Sequence, residues 1–159
     1  MKKYLLPLIA ITVLFTGCSL NDTAETDGDV EIANSLKLDL SNQELKEIPA
    51  DVFKNKKLEE LDLSGNEIGG AIPAEINKLK NLKVLDLSDN IMTGVPAEVG
   101  QLEDLELLDL SNNGITGLPH EIGNLKKLKW LRLSGNPYSE QDLKIIRERL
   151  PGSTNIIIQ

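Results

Sequence analysis

From about residue 35 onward the chain places leucine on a fixed cadence. Leu58, Leu61 and Leu63 are followed by Asn66; Leu82, Leu85 and Leu87 by Asn90; Leu105, Leu108 and Leu110 by Asn113; Leu128, Leu131 and Leu133 by Asn136. A degraded earlier copy has Leu38, Leu40 and Gln43. The central leucines Leu38, Leu61, Leu85, Leu108 and Leu131 are 23, 24, 23 and 23 residues apart. In each copy the alternation Leu-x-Leu puts two side chains on one face of a short strand. One copy cannot close a core, so the strands of successive copies are expected to stack in parallel.

The asparagine after each strand falls inside the turn, where its amide can bond unpaired backbone groups of its own coil and the neighbouring one. Gln43, Asn66, Asn90, Asn113 and Asn136 are the members expected for that ladder. The second half of each copy reads Ile-Pro-Ala-Asp-Val, Ile-Pro-Ala-Glu-Ile, Val-Pro-Ala-Glu-Val and Leu-Pro-His-Glu-Ile around Pro49, Pro73, Pro96 and Pro119. Proline suits the first turn of a short helix or irregular return segment. An apolar Leu79, Leu102 or Leu125 follows, whereas Asn55 takes that place in the first copy.

A period of 20 to 29 residues with this signature resembles the leucine-rich repeat family, LRR for short. The resemblance implies an α/β solenoid: a right-handed coil with a parallel concave β-sheet and short helical or irregular convex segments. Five repeats over 34–136 are expected. The 24-residue copy, Ile68-Gly69-Gly70-Ala71-Ile72-Pro73, resembles the Gly-containing turn of plant-type repeats and is read as a local bulge. After Asn136 the period breaks, and 137–159 is expected to cap the open core. A helix over about 139–150 presents Leu143, Ile146 and Leu150 on one face with Ser139 as N-cap, and Ile156-Ile157-Ile158 forms a last strand.

The start of the chain carries an address. Lys2 and Lys3 precede an apolar run from Tyr4 to Phe15, too short for a bilayer span of about 20 residues, so 1–17 is read as a signal peptide. Leu14-Phe15-Thr16-Gly17-Cys18 resembles the lipobox of bacterial lipoproteins, which implies that Cys18, the only cysteine, is lipidated and holds the protein at the membrane. The resemblance implies a bacterial cell envelope location, and the outer membrane in a cell with two, because Ser19 is not Asp. Residues 18–33 hold the lipidated Cys and an acidic disordered tether, in which Ser19 to Glu31, with Asp22, Glu25, Asp27, Asp29 and Glu31 and no basic residue, reaches roughly 40 Å when extended.

Charge and composition then narrow the function. The net charge is −8, and loss of Lys2 and Lys3 leaves 15 basic against 25 acidic residues, a net −10. Such acidity disfavours a nucleic-acid partner and favours a cationic one. Aromatic residues are 3% of the chain, so the interior is aliphatic. No nucleophile–base pair, phosphate loop or metal-ligand spacing stands in the sequence, and no cofactor is implied. The single histidine, His120, falls in a convex-side segment.

In the expected coil the residues flanking the strand leucines line the concave face in rows. Lys37, Glu60, Val84, Leu107 and Trp130 form one; Asp39, Asp62, Asp86, Asp109 and Arg132 the next; Ser41, Ser64, Ser88, Ser111 and Ser134 the third. The apolar Val84, Leu107 and Trp130 read either as a partner-binding anchor or, for Trp130, as packing against the cap. The Asp row reads either as an acidic stripe for a basic peptide or as ordinary repeat sequence whose charge the serines and nearby lysines absorb. The expected function is protein or peptide binding by a monomer, with a host-directed adhesin and an envelope-organising protein without a specific ligand left as alternatives.

Overall fold

The computed structural model describes residues 35–159; the expected signal peptide, Cys18 and the expected tether lie outside the described residues. Eight short strands form: β1 Lys37–Asp39, β2 Glu60–Asp62, β3 Gly69–Ala71, β4 Val84–Asp86, β5 Ile91–Gly94, β6 Leu107–Asp109, β7 Trp130–Arg132 and β8 Asn155–Ile157. The Leu-x-Leu strands build one parallel sheet in the order β1-β2-β4-β6-β7-β8. Its register has no slip: Leu38, Leu61, Leu85, Leu108, Leu131 and Ile156 align in one column. A slip of one residue would turn every strand leucine to solvent, so burial of this column fixes the pairing.

On the opposite side the return segments are four 3-10 helices, Ala50–Lys54, Ala74–Lys78, Ala97–Gln101 and His120–Asn124. Each proline stands at the N-cap rather than inside the first turn, with φ between −55° and −73°. Five residues then suffice to turn the chain inward at Val52, Ile76, Val99 or Ile122, all fully buried. Leu61, Leu85, Leu108 and Leu131 face them from the sheet and are also fully buried. Each such side chain contributes roughly 1.5–3 kcal/mol, but only while a neighbouring coil covers it.

The asparagine column locks the coils to one another. Asn113 Nδ2 donates to the Leu87, Leu110 and Ser111 carbonyls at 3.0, 3.1 and 3.1 Å, and its Oδ1 accepts from Met92 N at 3.0 Å. Asn66, Asn90 and Asn136 repeat the pattern, each reaching the strand carbonyl of the preceding coil. Gln43 does not belong to this ladder among the described residues. Its side chain joins no such bond, and its backbone N–H instead donates to Asn66 Oδ1 at 3.0 Å. The ladder needs a strand carbonyl one coil earlier, and Gln43 lies in the first described coil. Asn55 shows the reverse case: the residue standing in place of leucine is fully buried because its Nδ2 donates to the Ser35 carbonyl at 2.7 Å and its Oδ1 accepts from Lys57 N at 3.1 Å.

The Gly69-Gly70 insertion makes more than a bulge. β3 pairs in parallel with β5 as a second, two-stranded sheet, and the irregular step in register lies between Gly70 and Ala71. Hydrogen bonding thus extends to a second side of the coil, and continues there from Gly114 N to the Met92 carbonyl. At the C-terminus the helix α1, Glu140–Arg149, starts on Ser139, whose Oγ accepts from Asp142 N at 3.3 Å. α1 packs on the last 3-10 helix and seals the core with Leu143, Ile146 and Leu150, while β8 continues the main sheet.

Candidate functional site

The face of the main sheet away from the core is built by strand alternation: with Leu38, Leu61, Leu85, Leu108 and Leu131 inward, the residues on either side of each point outward. The strand pairing therefore sets Lys37, Glu60, Val84, Leu107, Trp130 and Asn155 side by side, and Asp39, Asp62, Asp86, Asp109, Arg132 and Ile157 beside them. Neighbours within a row are about 4.8 Å apart. Val84 and Leu107 are half-buried, whereas Trp130 stays 41% exposed. Trp130 lies on the strand next to β8 of the cap, with Asn155 as its register partner.

Each Asp is held from one side. Asp62 Oδ1 accepts from Ser64 N at 2.9 Å and from Ser64 Oγ at 2.6 Å, and Asp86 Oδ1 from Ser88 N and Oγ at 2.9 and 2.7 Å. Asp39 takes Ser41 N in the same way. The serine row thus fixes the carboxylates without neutralising them. At the C-terminal end the row changes, because Arg132 Nη1 meets Asp109 Oδ2 at 3.0 Å and Asp109 is 4% exposed. The charge of Asp109 is compensated, and Arg132 is no isolated cation.

The lysines pair elsewhere. Lys37 meets Glu60 at 2.7 Å, Lys83 meets Glu59 at 2.7 Å, Lys127 meets Asp104 at 2.5 Å and Lys129 meets Glu106 at 2.6 Å. None of these pairs includes a member of the Asp row. Among the described residues Asp39, Asp62 and Asp86 form no ion pair, and the hydrogen bonds of Asp62 and Asp86 all reach Oδ1, none Oδ2. Burial raises the Asp86 pKa above its ordinary value, the Ser88 bonds oppose this, and the charges of Asp109 and Asp62 add to it. Ionisation of Asp86 is therefore opposed mainly by its burial, and a cation placed beside it would favour the charged form.

Two other places bear on chemistry. His120 Nε2 lies 3.4 Å from Asp142 Oδ1, and Asp142 Oδ2 accepts from Leu118 N at 3.2 Å, so the histidine joins the last coil to α1. A shallow hollow of about 620 Å³ on the coil edge is bordered by Lys80, Lys126 and Lys127. Their ammonium groups are engaged with the Gln101, Gly123 and Arg149 carbonyls and with Asp104. Among the described residues no group of three His, Cys, Asp or Glu is placed to hold a metal ion, and no helix is long and apolar enough to cross a membrane.

A stack of parallel strands backed by 3-10 turns, tied by a column of buried asparagines and offering one open sheet face, defines a solenoid binding scaffold. The chain belongs to the leucine-rich repeat family, whose model, described as Leucine rich repeat, matches residues 36–92 and 80–137. Among solved structures, an LRR protein of Leptospira interrogans is 43% identical over 69% of this chain, with a TM-score of 0.63. The chain spans 27% of that protein's length. The LRR ectodomain of the receptor kinase SOBIR1 from Arabidopsis thaliana is 34% identical over 70% of this chain and 62% of its own, with a TM-score of 0.60. The plant peptide hormone receptor RGFR1, solved in complex with RGF2, is 36% identical over 76% of this chain and 21% of its own, with a TM-score of 0.61. No curated protein matches.

Proposed function

We propose that the protein is a lipid-anchored, extracytoplasmic binding module that captures a protein or peptide on its concave face. The observation that carries this reading is the exposed Trp130 in one row with Leu107 and Val84, a row that meets at Val84 the carboxylates Asp86, Asp62 and Asp39, which form no ion pair among the described residues. Trp is enriched among interface anchors, and an acidic border selects against acidic partners while speeding the approach of basic ones. The complex of a similar receptor with a peptide hormone supports a peptide or protein over a small molecule. Six strands about 4.8 Å apart give a face roughly 25 Å wide, so a single-face contact belongs at the small end of interface sizes. A monomer meets its partner through this face while Cys18 keeps it on the envelope membrane, at the outer one where two exist.

A photo-crosslinking residue in place of Leu107, activated in intact envelopes, tests the reading. Capture of one defined protein or peptide that disappears in Trp130→Ala and Asp86→Arg backgrounds is expected. Capture that is indifferent to both substitutions removes the concave face. The anchor is tested separately: Cys18→Ala is expected to move the protein from the detergent phase to the aqueous phase on Triton X-114 partition, and unchanged partition removes the lipid.

A further inference from the structure

Resting on the concave-face reading, we infer that the ligand is an extended peptide carrying a Lys or Arg and a large apolar residue four positions apart, laid across the strands. The geometry of the two rows sets this spacing. The Arg132–Asp109 pair divides the Asp row into a compensated end and an uncompensated stretch, Asp39, Asp62 and Asp86, on β1, β2 and β4. The Lys37–Glu60 pair divides the other row in the opposite sense, leaving the apolar stretch Val84, Leu107 and Trp130 on β4, β6 and β7. The face is thus acidic toward its N-terminal coils and apolar toward its C-terminal ones. The two halves are also offset by two residues along the strand.

From the midpoint of Asp62 and Asp86 to that of Leu107 and Trp130 is two strand steps, about 9.6 Å, across and two residues, about 6.7 Å, along, so about 12 Å in all. An extended peptide advances about 3.3 Å per residue and turns alternate side chains to opposite faces. Residues i and i+4 share a face about 13 Å apart; i+3 places its side chain away from the sheet, and i+2 falls short. The free Oδ2 atoms of Asp62 and Asp86 accept the cationic group, and the indole of Trp130 with the Leu107 side chain covers the apolar one. The backbone can run in either direction, so the order of the two residues is open while their spacing is not.

Trp130 is the chain's only tryptophan, so its emission reports occupancy directly. The full-length protein in detergent is panned against a random 12-residue peptide display library, and each binder is titrated by Trp130 fluorescence. Enrichment of Lys or Arg four positions from Leu, Ile, Phe, Met or Trp is expected, with binding that weakens as salt rises. A single Asp86→Asn is expected to weaken such peptides roughly fivefold, as for one exposed charge pair, without changing the melting curve for the worse. Moving the cation to i+3 is expected to abolish the Asp86 dependence. Binders that shift Trp130 emission without this spacing, or that ignore Asp62→Asn and Asp86→Asn together, overturn this inference and leave the concave-face reading standing. A library yielding no peptide that shifts Trp130 emission also overturns this inference, and the concave-face reading falls with it only when crosslinking from Leu107 captures nothing.

Discussion

Replacing Asn113 by Ala tests the load carried by the asparagine column. The side chain is buried, donates to three carbonyls in two coils and accepts from Met92 N, whose residue is fully buried. Alanine orphans the Met92 N–H, at about 1–3 kcal/mol, and removes carbonyl bonds worth about 0.5–1.5 kcal/mol each in net terms. Because two Nδ2 protons are shared among three acceptors, two carbonyl bonds are a fair count, and the expected loss is about 2–6 kcal/mol. That is a large share of the about 5–15 kcal/mol of a typical domain. Urea titration followed by Trp130 emission, which reports β7, and by far-UV circular dichroism, which reports the whole coil, measures it. Coincident curves license one free energy for a repeat protein. Amide exchange at Met92 is expected to accelerate beyond the global change. A loss under about 1 kcal/mol with an unchanged denaturant slope, and a Met92 amide no faster than its neighbours, would refute the assignment. Asn124→Ala is the control: the side chain is exposed, makes no hydrogen bond among the described residues, and is expected to change stability by less than about 0.5 kcal/mol.

Three further outcomes follow from particular contacts. Gly100→Ala places a Cβ 2.2 Å from the Glu121 carbonyl oxygen, so the stacked 3-10 helices must part; a loss of about 1–3 kcal/mol by thermal melting is expected, and a neutral result would deny that close stacking. Arg132→Ala strands the buried Asp109 carboxylate and is expected to cost about 1–2 kcal/mol, the guanidinium being partly exposed, but clearly less in an Asp109→Asn background; equal costs in both would remove the pair. Asp86 has a raised pKa, so the folded state holds its proton more tightly than the unfolded one and stability falls as pH rises from the ordinary value of 3.8 through the folded pKa. Asp86→Asn keeps an oxygen for Ser88 and is therefore expected to raise the melting temperature at pH 7 and to lose that advantage at pH 3. An advantage equal at both pH values would show that ionisation is not its source.

What the sequence determined by itself is what repeats. Each coil touches only its neighbours, so one 23-residue pattern specifies the strand, the inward leucines, the asparagine column and the proline-led return, and stacking multiplies them. The rows of the concave face were legible for the same reason: with the leucines inward, alternation leaves their neighbours no other side. The break after Asn136 likewise announced a cap through Ser139 and the Leu143, Ile146 and Leu150 face. Tertiary structure alone decided what depends on the ends and on contacts between coils. Gln43 has the ladder's position but no described strand carbonyl before it, and Asn55 looks like a defect until its amide is seen to hold Ser35. The insertion at Gly69-Gly70 acquires meaning only when β5 lies beside it. The charge of the concave face, too, rests on which lysine reaches which carboxylate. Long flexible side chains choose partners by distance across coils, a quantity no spacing in one dimension contains, and it is this choice that leaves Asp39, Asp62 and Asp86 without an ion pair among the described residues, at the end of the sheet opposite Trp130.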